Sequence, residues 1–391
     1  MPNFEDVVDL TRKLISFPEI NPPGDVRKIT DFIEAECKAW GLAPERVGAK
    51  AEKPCLKMQL GTGSGPTLVY YGHTDVVPVT ELERTRWNSD PFQGTVKGDR
   101  LYGRGAVDSK GTLASMLIAA RELAKVQDKM HGTLLFWVVA DGEVGDQDGL
   151  KWLDDQGMLS GDMVIGCEPS EMKIVRAYKG RAWLDVSIRG RSRHSLTPNA
   201  NDSAIGAAVR VLNALDRYEV VPPGVSKTMS EILGGASITA TQVHAGETYN
   251  VSPGESRVTL DVRMMPGDSS KAALERFDAL LKTVDLQGWS VTTELIPGSL
   301  REPVILKDDD NIVQVMQVAL SASGLDPVFG RGYSSGGVGN FLQKGIPGVY
   351  YGPGTIEDAH GANESVLLSN LLKTAEVYYR AGEAATKIAR S

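Results

Sequence analysis

Cysteine, long apolar runs and an excess of basic residues are what this 391-residue sequence lacks. Its three cysteines, Cys37, Cys55 and Cys167, form an odd and scattered set, so they predict no disulfide framework and favour a reducing cytoplasm. No apolar run approaches the roughly 20 residues that a membrane-spanning helix needs, so we expect no membrane partner. The net charge of -8 and the pI of about 5.3 argue against a general nucleic-acid binder.

What the sequence does contain is the composition of an ordinary globular protein. Hydrophobic residues make up 41% of the chain and charged residues 24%. The length favours two domains over one. The stretch MPNFEDVVDLTRKL has the charged, amphipathic pattern of a helix, and we expect it not to act as a signal peptide.

Strand-like and helical segments alternate in the first half of the sequence. TLVYYGH, TLLFWVVA and MVIGC are short apolar runs that predict buried strands. GTLASMLIAARELAKV has the spacing of a strong helix with small and apolar residues on one face. Strands that alternate with helices predict an α/β fold built around a largely parallel sheet.

The middle of the sequence, from about 180 to 295, has a different pattern. Segments such as SRVTLDVRMMPGD alternate apolar and polar residues with period two, and two helical segments lie among them. This pattern predicts a small α+β domain with an antiparallel sheet. Because alternation of helix and strand resumes afterwards, we predict one α/β domain, residues 1–179 and 296–391, interrupted by the smaller domain.

Histidines and carboxylates follow the predicted strands, and one aspartate precedes the long helix. In open parallel sheets the active site lies beyond the carboxyl ends of the strands. Each residue alone has an ordinary explanation, such as a turn histidine, a helix N-cap or a solvated loop charge. Together they favour a two-metal site, since carboxylates and imidazoles bind divalent ions and a carboxylate can bridge two of them. The residues are His73, Asp75, Asp108, Asp141, Glu143, Glu168 and His360.

A series of motifs, in order over nearly the whole chain, resembles that of the M20 metallopeptidases. The motifs include GHTDVVP, LYGRGAVDSKG, CEPS, HSLTPNANDSAI, YNVSPGE, DVRMMPG and GPGTIEDAHGANE. The resemblance implies a di-metal catalytic domain interrupted by a smaller lid domain through which two copies dimerise. It also implies a hydrolase that removes an N-acyl group from an amino acid or small peptide. Two divalent ions would be its cofactors, Zn²⁺ first, with Co²⁺ or Mn²⁺ as alternatives.

The resemblance also assigns roles to the residues of the metal site. His73 and Glu168 would bind one ion, Glu143 and His360 the other, and Asp108 would bridge the two. Asp75 would accept the second ring N–H of His73 and so fix its tautomer.

Three further residues would contact the substrate. His194, in the inserted domain, would reach the active site of the partner subunit and stabilise the carbonyl oxyanion, which implies a homodimer. Asn250 and Arg263 would contact the carbonyl or carboxylate of the substrate, and Arg suits a carboxylate geometrically. Arg263 is equally well explained as a surface arginine of a strand. His131 and His244 match no role in the family.

The sequence departs from the family at its acidic corner. The family has Asp-Glu-Glu, in which the first Glu is the general base and the second a metal ligand, whereas this chain has Asp141-Gly142-Glu143. The metal ligand is therefore kept and the base is absent. General acid–base groups contribute about 10²–10⁴-fold in rate.

Three explanations of Gly142 stay open. The chain could be a hydrolase with another base, such as Asp141, Glu143 or a carboxylate of the substrate. It could be a variant inactivated on purpose, or a family member redirected to non-hydrolytic chemistry or to binding metal and a small carboxylated ligand. Gly142→Glu is expected to raise activity by orders of magnitude if the fold is otherwise competent.

Two smaller departures lie elsewhere. Val338 and Gly339 stand where the family often has Thr-Asp, so the side-chain hydrogen bonds that those residues give to substrate are absent. Cys167 stands where glycine is common, and its small side chain makes this the lesser change.

Overall fold

The protein divides into two compact units in a computed structural model that describes residues 2–61, 63, 65–197, 202–216 and 227–387. Unit 1 comprises Met1–Arg176, Leu306–Gly330 and Gly336–Ser391, and unit 2 comprises Ala177–Ile305 and Arg331–Ser335. Unit 2 therefore starts and ends outside the expected limits of 180 and 295. It also takes in a separate five-residue stretch, 331–335, in which Tyr333 and Ser334 pair with Tyr178 and Lys179.

Unit 1 consists of helices and a central sheet, and one of its helices lies where GTLASMLIAARELAKV predicts a strong helix. Its helices are α1 (Val7–Ile15), α2 (Arg27–Ala39), α3 (Glu81–Arg84), α4 (Lys110–Ala124), α5 (Leu150–Asp155), α9 (Asn311–Ala322), α10 (Val338–Leu342) and α11 (Leu368–Ala385). Short 3-10 helices occur at Gln127–Lys129 and Gly142–Val144. In α4 nearly every side chain is buried, since the helix is rich in alanine and other small residues and packs closely against α11 and β3 (Thr67–His73).

The central sheet of unit 1 is mixed and mostly parallel. Its strands are β1 (Glu45–Val47), β2 (Cys55–Leu60), β3, β6 (Thr133–Val139), β7 (Met163–Gly166) and β16 (Gly348–Tyr350). Their order is β1-β2-β6-β3-β7-β16, and the four strands from β6 to β16 run parallel. These four strands are continuous buried runs, as expected for a sheet covered on both faces. The predicted α/β class is confirmed.

A small antiparallel sheet completes unit 1. It joins β4 (Thr95–Lys97), β5 (Arg100–Tyr102) and β17 (Ser365–Leu367) in the order β17-β5-β4. Because β17 comes late in the chain, this sheet ties the C-terminal segment to the loop that precedes α4. Among the described residues, none of the helices has the length and apolarity that crossing a membrane would take.

Unit 2 is an antiparallel sheet packed on helices. The sheet has the order β10 (Ser237–Ala245), β12 (Glu255–Met264), β8 (Ala177–Arg189) and β13 (Ser290–Leu295), and the short strands β14 (Val304–Ile305) and β15 (Tyr333–Ser334) pair with the first residues of β8. Even-numbered residues of β8, such as Leu184 and Val186, enter a core that also contains Phe277 of α8, and the odd-numbered residues face away. The elements are β8 (Ala177–Arg189), β9 (Arg193–His194), α6 (Ala204–Asp216), α7 (Lys227–Leu233), β10 (Ser237–Ala245), β11 (Val251–Ser252), β12 (Glu255–Met264), α8 (Ser270–Thr283), β13 (Ser290–Leu295), β14 (Val304–Ile305) and β15 (Tyr333–Ser334).

Candidate metal centre

Four adjacent parallel strands of unit 1 bring polar side chains to one edge of the sheet. His73 is the last residue of β3, and Glu168 follows β7 by two residues. Glu143 follows β6 within a short 3-10 helix, and His360 lies in the loop after β16. Asp108 joins them from the loop that precedes α4. The carboxyl ends of parallel strands meet at one edge of the sheet, which is why the four residues that follow these strands converge although they are far apart in sequence.

The first ligand group consists of His73, Asp108 and Glu168. The Nε2 atom of His73 lies 3.1 Å from Oδ1 of Asp108 and 3.8 Å from Oε1 of Glu168. One donor atom from each residue lies within 4.8 Å of the others, a spacing that a single metal ion can span.

The second ligand group consists of Asp108, Glu143 and His360. The Nε2 atom of His360 lies 3.3 Å from Oδ2 of Asp108 and 3.1 Å from Oε2 of Glu143. The donor atoms of this group also lie within 4.8 Å of one another. Asp108 therefore belongs to both groups and turns a different carboxylate oxygen toward each histidine.

Burial and the neighbouring charges shift the pKa values of the residues in both ligand groups. Burial raises the pKa of Glu168 well above its usual value, and burial likewise raises the pKa of Glu143. Hydrogen bonds to Asp108 and Glu143 raise the pKa of the half-exposed His360 to about 10. Burial opposes the charged form of His73, but Glu168 and Asp108 outweigh it and raise that pKa as well. Divalent ions would supply the positive charge that these crowded, buried carboxylates otherwise draw from the two histidines.

One buried oxygen in the second group has no partner. Oε1 of Glu143 is inaccessible to solvent and makes no hydrogen bond within the described chain, while Oε2 contacts His360. An unsatisfied buried carboxylate oxygen costs free energy unless something binds it. Its position within a group of imidazole and carboxylate donors fits a metal ion as the missing partner.

Asp75 connects His73 to the acidic corner. The ring Nδ1 of His73 lies 3.0 Å from the backbone oxygen of Asp75 and 3.4 Å from its Oδ1 atom, so the backbone is the nearer acceptor. The carboxylate accepts hydrogen bonds from the backbone N–H groups of Gly142 at 3.0 Å and Glu143 at 3.2 Å. Burial raises the pKa of Asp75, but the hydrogen bonds from His73 and Asn21 outweigh it, and the pKa is lowered overall.

Asn21 and Lys53 are contributors that sequence reasoning missed. The side-chain amide of Asn21 donates to Asp75 at 2.8 Å and to Asp141 at 2.9 Å, and Lys53 lies 2.5 Å from Asp141. Asp141 also accepts from the backbone N–H of Asp148 at 3.0 Å. Both oxygens of Asp141 are thus engaged in holding the loop, which disfavours Asp141 as the replacement base. Asn21 lies in the stretch NPPGD, whose prolines and glycine predict a turn and give no sign of a contact with the site.

Gly142 lies directly against the imidazole of His73. A Cβ atom added at Gly142 would lie 2.5 Å from Cγ and 2.7 Å from Cβ of His73, closer than real Cβ contacts. The neighbouring Asp141 has a positive φ of 68°, and Gly145 has one of 98°. The corner is therefore a tight turn in which the ring of His73 fills the space where a side chain would begin.

The remaining predicted site residues lie in unit 2. His194 is exposed in β9, which pairs with β11, and the backbone oxygen of Asn250 accepts a hydrogen bond from Ser195 at 3.0 Å. The structure thus places His194 and Asn250 near each other. Arg263 is half-buried in β12, bonded to Asp261 at 2.9 Å and directly opposite Arg181 of β8.

The two smaller departures from the family pattern and the two histidines without a predicted role lie outside both ligand groups. Val338 is buried at the start of α10, and its N–H donates to the hydroxyl of Tyr350 at 3.3 Å. Cys167 is buried without a disulfide. His131 and His244 lie outside both ligand groups.

The chain is similar over most of its length to metallopeptidases and to enzymes that remove acyl groups. The model of peptidase family M20/M25/M40 matches residues 69–384. The chain is 28% identical over 349 residues to the probable succinyl-diaminopimelate desuccinylase of Staphylococcus aureus, covering 83% of this chain and 84% of that protein. It is 29% identical over 376 residues to the acetylornithine deacetylase of Myxococcus xanthus, covering 90% of each.

Solved structures share the fold at low sequence identity. A dinuclear metal binding peptidase of family M20 from Bacillus subtilis superposes with a TM-score of 0.71 at 19% identity, covering 98% of each chain. Aminopeptidase PepT from Bacillus cereus gives a TM-score of 0.75 at 18% identity, covering 98% of this chain and 99% of that one. These matches and the family model agree with the resemblance that the motifs carry.

Proposed function

The chain belongs to peptidase family M20/M25/M40, and we propose that it is a metal-dependent amidohydrolase that removes an N-acyl group from an amino acid or small peptide. The observation that carries the proposal is the pair of ligand groups that share Asp108. The desuccinylase and the deacetylase among its relatives support the choice of substrate class.

Two divalent ions are the proposed cofactors, with Zn²⁺ first and Co²⁺ or Mn²⁺ as alternatives. His73, Asp108 and Glu168 would hold one ion, and Asp108, Glu143 and His360 the other. When bound, the ions would polarise the acyl carbonyl and activate water for attack. Imidazole nitrogen and carboxylate oxygen suit all three metals, so the ligands alone do not choose among them.

The chain's own residues prepare this site for the reaction. Asp75 holds the ring of His73 through Nδ1, so that Nε2 is turned toward the ligand group. With glycine at 142, no side chain at that position can move a proton from water to the leaving nitrogen. We therefore expect slow turnover, by about the 10²–10⁴-fold that a general base contributes.

His194, Asn250 and Arg263 are the proposed substrate contacts. Nδ1 of His194 accepts a hydrogen bond from the N–H of Leu196 at 3.1 Å, which places the ring proton on Nε2. That proton suits donation to a developing oxyanion. Arg263 lies opposite Arg181 across the strands and is bonded to Asp261, so a substrate carboxylate would share these two cations with Asp261.

A homodimer formed through unit 2 and a cytoplasmic location complete the proposal. Strand β10 is an exposed edge of its sheet, and Val243 on it is 50% exposed. Ile205 and Val209 on the neighbouring helix α6 are 46% and 47% exposed, and apolar side chains beside an open edge favour pairing with a second copy.

The state of the cysteines supports the proposed cytoplasmic location. The three cysteines are all free, as is usual in a reducing compartment.

A panel of N-acetyl and N-succinyl amino acids tests the proposed hydrolase. The protein is incubated with each compound and Zn²⁺, Co²⁺ or Mn²⁺, and release of the free amine is measured by chromatography. We expect slow, metal-dependent release with at least one compound, and none from His73→Ala, which removes a proposed ligand. No release by protein that binds metal stoichiometrically would contradict the hydrolase.

A binder without turnover is the second candidate, and one observation favours it. The ring of His73 occupies the space where the side chain of a base at position 142 would begin. This candidate predicts that calorimetry detects a carboxylated ligand that binds only with metal present, while chromatography detects no product.

A further inference from the structure

A buried carboxylate outside both ligand groups holds the loop that carries Asp108. The side chain of Glu364 is fully buried, and its Oε1 atom accepts three backbone hydrogen bonds. The donors are the N–H groups of Gly105 at 3.0 Å, Val107 at 2.8 Å and Asp108 at 3.1 Å. Glu364 thus closes a turn of backbone around one carboxylate oxygen and fixes the main chain of Asp108 itself.

The second oxygen of Glu364 is bonded to Arg104, whose guanidinium is also fully buried. Nη1 of Arg104 lies 2.6 Å from Oε2 of Glu364, and Nη2 lies 2.5 Å from Glu83. The same two nitrogens donate to the backbone oxygens of Gly361 and His360, each at 3.3 Å. Arg104 therefore joins the loop of Asp108 to the loop of His360.

The two ligand groups differ in how firmly the fold holds them. In the first group, His73 and Glu168 extend directly from the ends of β3 and β7. In the second group, His360 lies in a long loop after β16, has a positive φ of 62° and has a side chain that is 48% exposed. Its ring contacts Asp108 and Glu143, and its backbone oxygen contacts Arg104. The position of the second group thus depends on contacts between loops.

We propose that Arg104 and Glu364 are positioning residues for the second ligand group, which fix the loops of Asp108 and His360 relative to each other. The inference rests on the proposed function, because it takes the two ligand groups to be sites for divalent ions. Breaking the pair is then expected to weaken the binding of the ion in the second group more than the binding of the ion in the first, since His73 and Glu168 extend directly from strand ends. Supports of this kind typically change metal affinity by about 10–100-fold.

Calorimetric titration of chelator-treated protein with Zn²⁺ tests the proposal without any use of activity. The variants are Glu364→Gln, Arg104→Lys and the double variant Arg104→Met/Glu364→Gln. A single change leaves one buried charge without its partner and can prevent folding, whereas the double variant removes both charges. Circular dichroism shows which variants fold.

Glu122→Gln is the matched control. Glu122 is another buried carboxylate of unit 1, paired with Arg121 at 2.9 Å and with Lys125 at 2.8 Å, and it belongs to neither ligand group. This variant removes the charge of a buried carboxylate and its two ion pairs but is expected to bind two ions with the affinities of the unchanged protein.

We expect the unchanged protein to bind two ions. The folded Arg104 and Glu364 variants should bind one ion with unchanged affinity and the other about 10–100-fold more weakly. Two ions bound with unchanged affinities by the folded double variant would overturn the positioning role and leave the proposed function standing. Equal weakening of both ions would also overturn it. If the unchanged protein binds no ion, the proposed function falls and this inference falls with it.

Discussion

At the scale of single residues, the short distance between position 142 and the ring of His73 decides which side chains fit in the acidic corner. From the sequence, Gly142 is the place where a base is missing. The structure adds that a Cβ atom there would lie 2.5 Å from Cγ of His73. Since His73 is buried and fixed through Asp75, the ring cannot easily move aside. The absence of a side chain at position 142 is therefore what allows the ring of His73 to lie this close to the backbone.

Gly142→Ala is expected to lower metal affinity and to cost about 1–3 kcal/mol of stability, as overpacking does. Metal content and thermal unfolding measure the two effects. Gly145→Ala is the control, because a Cβ atom there meets nothing within 4 Å but is strained by the positive φ. It should lose stability, by about 1–2 kcal/mol, without losing metal.

Gly142→Glu distinguishes the two views of this corner. The structure predicts that the longer side chain displaces His73, so that metal content and activity both fall. A gain in activity by orders of magnitude with metal retained would show instead that the loop can rearrange around a base, as the sequence alone suggests.

The three cysteines give a prediction that depends on pH. Burial raises the pKa of Cys37 and of Cys55 from 9.0 to about 12, and it also raises the pKa of Cys167. We expect a disulfide reagent at pH 8 to label none of them in the native protein and all three in denaturant. Because the folded pKa values of Cys37 and Cys55 exceed the unfolded ones, the contribution of these thiols to stability should be constant below about pH 9 and be lost as the pH rises toward 12. Fast labelling of any thiol in the native state would contradict this.

At the scale of elements, strand ends could be read from the sequence and loops could not. The apolar runs predict β3, β6 and β7, and the polar residues that follow them are the ones that the structure brings together. The roles of Arg104 and Glu364 could not be predicted, because a charged residue in a glycine-rich loop has the same sequence pattern whether its side chain is solvated or buried. The stretch 331–335 likewise carries no signal that it belongs with β8.

The edge of the unit 2 sheet supports a test of the proposed dimer. Val209→Asp places a charge among the exposed apolar side chains of α6, and we expect it to convert a dimer to a monomer in light scattering after size-exclusion chromatography. Val318→Asp on α9 is the control, since Val318 is 57% exposed but lies in unit 1. Dimers that survive Val209→Asp, or an unchanged protein that is monomeric, would contradict this interface.

At the scale of the whole molecule, the metal groups join distant parts of the chain. His73 and His360 both contact Asp108, and they come from the first and last segments of unit 1. The alternation of elements predicts such a discontinuous domain, but its limits could not be placed from the sequence because β8 is one continuous strand from 177 to 189, across the expected limit at 180.

Removal of metal should therefore destabilise unit 1. An ion present at 100 times its dissociation constant adds about 2.7 kcal/mol to folding, so a chelator is expected to lower the midpoint of thermal unfolding by several degrees. Differential scanning calorimetry with and without chelator measures the effect. The double variant His73→Ala/His360→Ala should show no response to chelator, and a chelator-insensitive unchanged protein would argue against bound ions.

The split of unit 1 around unit 2 also sets an order of events during synthesis. A ribosome makes His73, Asp108, Glu143 and Glu168 early, then the whole of β8 to β14, and only afterwards β16 and His360. A nascent chain that has emerged as far as Ile305 lacks β16, the last parallel strand of the sheet, and His360, the imidazole of the second ligand group. The second ligand group can therefore be completed only after the last segment of unit 1 has been made.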